Sequence, residues 1–313
     1  MAQASQVRIV EAGEKVAGQR LDNFLLRELK GCPKSLIYRV IRKGQVRVNG
    51  KRSKPDTRLN QGDKIRIPPV RLPDREQPPK PGTSLASLLQ GSVLHENEDF
   101  LVINKPAGLA VHGGSGVRLG LIEALRQLRP EWQDLELVHR LDRDTSGCLV
   151  IARNTSFLRE INRQIKEKSV TKIYYALVQG FWPDSLKEVS APLAKNHLKS
   201  GERMVRVSPD GKAALTRFRV LEHLERQATL IEAQLETGRT HQIRVHCQHA
   251  GHPVLGDPKY GNRNLPAPLQ DIKKLCLHAS QLEFSYPRDG PRHKFQAALD
   301  QDFEAILKLL RSK

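Results

Sequence analysis

The segment Val138–Gly147, VHRLDRDTSG, sets Asp142 and Asp144 among His139, Arg140 and Arg143. A carboxylate flanked by cations stays ionised, and an ionised Asp can act as nucleophile, general base or metal ligand. The segment alone does not choose among these, and a loop held by surface ion pairs would have the same composition. The apolar run CLVIA follows at once, so the polar stretch reads as an ordered loop entering a strand, a place where sites are often carried. A second cluster, His241, His246, Cys247, His249 and His252, contains the ligand types of a zinc centre within twelve residues. Read as a strand, however, the segment puts His246 and Cys247 on opposite faces, and no C-x2-C or H-x3-H pair accompanies it. No metal is expected.

These residues need a scaffold, and the chain is long enough to supply one. Its 313 residues, 38% hydrophobic and 27% charged, suit two soluble domains of ordinary size. No run of about 18 apolar residues occurs and the N-terminus lacks the apolar core of a secretory signal, so a cytoplasmic address is expected. Cys32, Cys148, Cys247 and Cys276 are too scattered for a disulfide framework and read as reduced, buried thiols. A formal charge of +18 predicts a polyanionic partner. Residues 1–70 hold sixteen Lys or Arg against six Asp or Glu, so +10 of the excess sits in the first fifth of the chain. With neither a lipidation site nor an amphipathic anchor in view, nucleic acid is preferred over membrane.

In that basic region, RLDNFLLRELK places Leu21, Phe24, Leu25 and Leu29 on one helical stripe. After Gly31 and Pro33, SLIYRVIRKG repeats the pattern, with Leu36, Ile37, Val40 and Ile41 inward and Lys34, Arg39, Arg42 and Lys43 outward. QVRVNG, which includes Arg47, and GDKIRI then alternate as strands about an Asn-Gly turn. Six of the nineteen prolines fall between Pro68 and Pro81, marking 71–90 as a linker. Beyond it, short apolar runs alternate with helical candidates. This pattern predicts an α+β domain over 91–313 with a mixed, largely antiparallel sheet.

The order of elements from Gly18 to Pro68 resembles the S4 RNA-binding domain, which implies docking on structured RNA through the helix pair and the following strand. The contacts so implied are Lys34, Arg39, Arg42, Lys43 and Arg47. Five spaced motifs beyond the linker resemble those of the RluA family of pseudouridine synthases: LVINKPAGLAVH, VHRLDRDTSG, KIYYALVQG, TGRTHQIRVH and GHPVLGDPKYG. They stand in the family's order and span roughly 93–299. The resemblance implies a cofactor-free isomerase with Asp142 as nucleophile and Arg244 as its ion-pair partner. It also implies Tyr174 as the aromatic that stacks on the extruded uracil, its hydroxyl a candidate for taking the C5 proton. Arg140 would fill the gap left by the flipped base, and His139 would orient the loop. Asn104, Lys105 and Pro106 fall in a motif expected to line the cleft floor. Tyr286 and Ala298 depart from the family pattern, far along the chain from Asp142.

The S4 resemblance and the segment VHGGSG, 111–116, favour large-subunit ribosomal RNA over tRNA as partner, with monomer the default state. Two other function classes compete: a non-catalytic RNA-binding or ribosome-assembly factor, and a metal-dependent RNA-processing enzyme. The joint presence of Arg140, Asp142, Tyr174 and Arg244 favours the isomerase over the first. Insensitivity to chelator would exclude the second.

Overall fold

The computed structural model describes every residue except 1–5, 30, 71–78, 115–116, 198–202, 226–227, 263 and 313. The chain divides into two compact units, Met1–Gln77 and Pro78–Lys313. In the first, β1 (Arg8–Glu11), α1 (Leu21–Glu28), α2 (Lys34–Arg42), β2 (Arg47–Val48), β3 (Lys51–Arg52) and β4 (Lys64–Ile67) follow in order. The strands form one sheet, β1-β4-β2-β3. The apolar stripes anticipated on the helices form its core: Leu21, Phe24, Leu25, Leu29, Ile37, Val40 and Ile41 are all buried, while Leu36 is only half-buried. Asn49 and Gly50 both take positive φ, the tight hairpin turn that Asn-Gly favours. Lys34, Arg39, Arg42, Lys43 and Arg47 remain exposed.

The second unit begins earlier than the proline content suggests. Helix α3 (Thr83–Gly91) occupies ground assigned to linker, because Leu89 is fully buried and Leu85 packs beside it. Residues 71–78 of that expected linker lie outside the described residues. Then come β5 (Val93–Glu96), β6 (Phe100–Lys105), α4 (Leu121–Leu128), β7 (Glu136–Leu137), β8 (Ser146–Ala152), α5 (Thr155–Glu167) and β9 (Thr171–Gln179). β10 (Glu188–Ser190), β11 (Leu193–His197), β12 (Arg203–Val207), β13 (Leu215–Leu224) and β14 (Ala228–Leu235) follow. α6 (Gln242–His249), β15 (Leu277–Ser285), β16 (Arg292–Gln296) and α7 (Gln301–Arg311) complete the chain. The large sheet runs β10-β13-β14-β9-β15-β8-β6-β5, with β16 on β15 and β7 on β8. Among the described residues, every pairing in this sheet is antiparallel except that of β15 with β8.

That one parallel pairing sits directly behind the Asp142 loop, where His278 opposes Ser146 and Ala279 opposes Gly147. Gly147 has φ +109°, and a Cβ there would stand 2.2 Å from the Ala279 carbonyl oxygen. Only glycine fits, and the close approach fixes where the loop meets the sheet. The expectation of a strand over 241–249 is overturned: Gln242–His249 is a helix. Gln242, Ile243, Arg244, Val245, His246 and Cys247 are all buried, so the helix is covered on nearly every side and shows no amphipathic period. Its Ile-Arg-Val-His alternation imitates a half-buried strand.

Gly147→Ala is expected to cost about 3 kcal/mol through overpacking and backbone strain. Thermal unfolding of this variant should fall by about 6–12 °C. An unchanged midpoint would contradict the close β8–β15 approach.

Candidate active site

A cleft of about 1030 Å3 opens in the second unit, lined by the Asp142 loop, the start of β9, the end of α5 and the first turn of α6. Among the described residues, eight Lys or Arg line it against two carboxylates, Asp142 and Glu236. The cleft brings together His139, Arg140, Asp142, Tyr174 and Arg244, five residues drawn from three separate motifs.

Arg244 sits at the centre. Its guanidinium donates through Nε and Nη2 to Asp257 Oδ2 and Oδ1, at 2.7 and 2.8 Å, and through Nη1 to Asp142 Oδ2 at 3.1 Å. The Asp257 side chain is wholly buried and that of Arg244 6% exposed, whereas Asp142 keeps 29% exposure toward the cleft. Burial alone would weaken the Arg244 charge, but the bonds to Asp257 and the nearby Asp142 raise its pKa above the ordinary value. A fork of five donors bridges two carboxylates in a plane, which a lysine could not do. Asp257 is aimed by its own turn, since the backbone N–H groups of Lys259 and Tyr260 donate to Oδ1. Gly256, at φ +69° and too close to the Lys274 carbonyl for any Cβ, makes that turn possible.

A second residue, His241, faces the same oxygen of Asp142. His241 adopts a left-handed backbone at φ 53°, just before α6, which turns its ring toward the loop. Tyr260 Oη accepts from Val205 N–H at 2.9 Å and lies 2.8 Å from His241 Nδ1. This contact fixes the orientation of the imidazole, whose Nε2 stands 3.7 Å from Asp142 Oδ2. Burial lowers the His241 pKa, against the pull of Asp142. Oδ2 is thus held by Arg244 and faced by His241, while Asp142 Oδ1 has no partner among the described residues.

The loop itself is tied from behind. Lys105 is fully buried and gives its three protons to the carbonyls of Pro106, Leu109 and Arg143, at 2.7, 2.9 and 3.0 Å. Burial pulls its pKa down to about 7, against the pull of Asp144 and Asp142. The expected cleft-floor position of Asn104, Lys105 and Pro106 is therefore corrected. None of them lines the cleft, and Asn104 instead donates to the Ala298 carbonyl. Val150 N–H donates to His139 Nε2 at 3.3 Å, and burial followed by the charge of Lys172 lowers the His139 pKa to about 3. Arg143 pairs with Asp144 rather than with Asp142. Arg140 is exposed at the cleft mouth and forms no ion pair or hydrogen bond among the described residues.

Tyr174 lines the cleft and its neighbour Tyr175 does not, as alternation along β9 requires. Burial, with the charge of Asp142 adding, raises the Tyr174 pKa and keeps the phenol protonated. The histidine and cysteine cluster is absorbed into packing. His246 is bonded to Thr216 and the Ala191 carbonyl, His252 to the Gln179 carbonyl, and Cys247 is buried. Among the described residues no group of three or more His, Cys, Asp or Glu could hold a metal ion. No described helix is long and apolar enough to cross a membrane.

Asp257 and Tyr260 were visible in the sequence only as part of GHPVLGDPKYG. Their roles as braces depend on a partner brought in by the fold.

This chain resembles known proteins along nearly its whole length. The family model described as RNA pseudouridylate synthase matches residues 99–249, and the S4 domain model matches 19–65. Ribosomal large subunit pseudouridine synthase C of Salmonella typhi is 51% identical over 98% of each chain. The proteins of that name from Escherichia coli strain K12 and Haemophilus influenzae are 50% and 49% identical over 98% of this chain, and over 97% and 96% of their own. Among solved structures, human RNA pseudouridylate synthase domain containing 4 superposes with a TM-score of 0.60 at 28% identity, covering 73% of this chain and 96% of that one. With half its residues shared with such relatives along nearly the whole length, and an S4 domain ahead of the matched region, this chain belongs to the RNA pseudouridylate synthase family.

Proposed function

We propose that the protein converts particular uridines of large-subunit (23S) ribosomal RNA to pseudouridine in the cytoplasm, breaking the N1–C1′ bond and forming C5–C1′. The observation that carries this reading is a carboxylate clamped through one oxygen in a basic cleft, with an aromatic ring on the same cleft wall. The names of the relatives supply the RNA class.

In this reading residues 1–70 dock the RNA through Lys34, Arg39, Arg42, Lys43 and Arg47, all exposed, and residues 91–313 carry out the isomerisation. Arg140, exposed and unengaged among the described residues, enters the stack as the target base leaves. The base settles against Tyr174. Asp142 presents Oδ1 to the nucleoside while Arg244 keeps the carboxylate ionised and aimed. No net atoms are gained or lost: C5 gives up its proton and N1 ends with one. A phenol that accepts the C5 proton must first surrender its own, and the raised pKa of Tyr174 opposes that. Tyr174 therefore enters the proposal as the stacking surface.

Tritium release from unmodified large-subunit RNA carrying [5-³H]uridine tests the assignment. Wild type should release label and Asp142→Asn should release none above background. Release by the variant would remove Asp142 as nucleophile, and no release by wild type would favour an RNA-binding factor.

Asp257→Asn addresses the brace. It leaves the buried Arg244 short of a counter-charge, so stability should fall by about 3–5 kcal/mol in denaturant unfolding. At a temperature where the variant stays folded, turnover should drop about 100-fold, a loss of about 2.7 kcal/mol in transition-state stabilisation. Wild-type turnover in the folded variant would show that Asp257 does not act through Arg244.

A further inference from the structure

Among the described residues, Lys172 is a cleft cation without an anion. It stands two residues before Tyr174 on β9, so the two side chains share one face of the strand, and both line the cleft with Asp142. Its side chain is half-buried, and among the described residues no carboxylate or carbonyl partners its ammonium. Lys105 shows the contrast, since all three of its protons are taken by backbone carbonyls. Around Lys172 stand His139, kept neutral by burial, and the protonated phenol of Tyr174. Burial pulls the Lys172 ammonium down to about 8, and no carboxylate counters it. A desolvated, unpaired charge is unfavourable unless the partner arrives with the ligand.

The wall beside it is of the same sign. Lys166 and Lys168, at the C-terminal end of α5, line the same cleft. Lys168 caps that helix at φ 61°, a left-handed conformation for which glycine is the usual occupant. A lysine is kept there in spite of the strain.

We propose that Lys172 binds a backbone phosphate of the RNA, that of the flipped nucleotide or its immediate neighbour, with Lys168 and Lys166 continuing the strand's path along the end of α5. Alternate residues on a strand are about 6.6–6.8 Å apart, so a nucleotide whose base rests on Tyr174 has a phosphate within reach of Lys172. The ligand is a phosphate rather than a uracil carbonyl because a strongly hydrated ammonium drawn out of water needs a full negative charge in exchange. The inference rests on reading the cleft as the seat of the flipped uridine.

The test is equilibrium binding of an unmodified large-subunit RNA fragment to the full chain from low to moderate potassium chloride, with steady-state kinetics alongside. Lys172→Met and Lys172→Gln, either of which suffices if the other fails to fold, should make the slope of log K against log salt shallower by about 0.7. The specificity constant should fall about tenfold, chiefly through KM, and Lys172→Arg should restore both slope and KM. An unchanged slope in the neutral variants overturns the proposal, whatever happens to kcat, because Lys172 would then touch a neutral group or none. The binding measurement needs no turnover. A shallower slope in a protein that forms no pseudouridine would refute the assigned reaction and leave the phosphate contact standing.

Discussion

The guanidinium of Arg244, shared between a wholly buried carboxylate and a partly exposed one, is the interaction on which the site depends. A buried arginine is tolerated because Asp257 takes two of its five donors, and another, on Nη1, holds Asp142. The two carboxylates thereby acquire different tasks from their surroundings alone. Asp257, enclosed and hydrogen-bonded to its own turn, is structural, while Asp142 keeps one oxygen toward the cleft. The elements around them serve that division. Gly256 shapes the turn that presents Asp257, α6 presents Arg244, and Gly147 lets the strand after the Asp142 loop run close against β15.

Around this pair the cleft is assembled from fixed donors rather than mobile ones. Lys105 anchors the loop through three carbonyls, and Tyr260 holds the ring of His241 in place. Arg140 stands apart, exposed and unengaged among the described residues, as a side chain that must move into an RNA stack would be. The division between braced and unbraced cations separates residues that shape the site from those left to meet the substrate.

Much of this was legible in the sequence, for identifiable physical reasons. The helices and strands of the first unit follow from apolar spacing, and the antiparallel character of the large sheet from short apolar runs. Asp142 and Arg244 stood out through motif resemblance, and the structure brings them within 3.1 Å. Three features were not legible. Helix α6 is buried almost all round, so no amphipathic period marked it and its alternation imitated a strand. Helix α3 was hidden behind a proline-rich run whose composition suggested linker. Asp257 stood in the sequence only within GHPVLGDPKYG, and its role as a brace needs an arginine thirteen residues back in the chain, which only the fold brings to it.

The proposed isomerisation requires one planar cation to bridge both carboxylates. Arg244→Lys keeps the charge and loses the bridge. Large-subunit RNA incubated with wild type or with this variant, then treated with carbodiimide and read by reverse transcription, gives the most direct measurement. Wild type should give discrete stops at a few uridines, and with Arg244→Lys these stops should be absent or at least about 100-fold slower to appear. Full modification by Arg244→Lys, in a variant shown to be folded, would contradict this requirement.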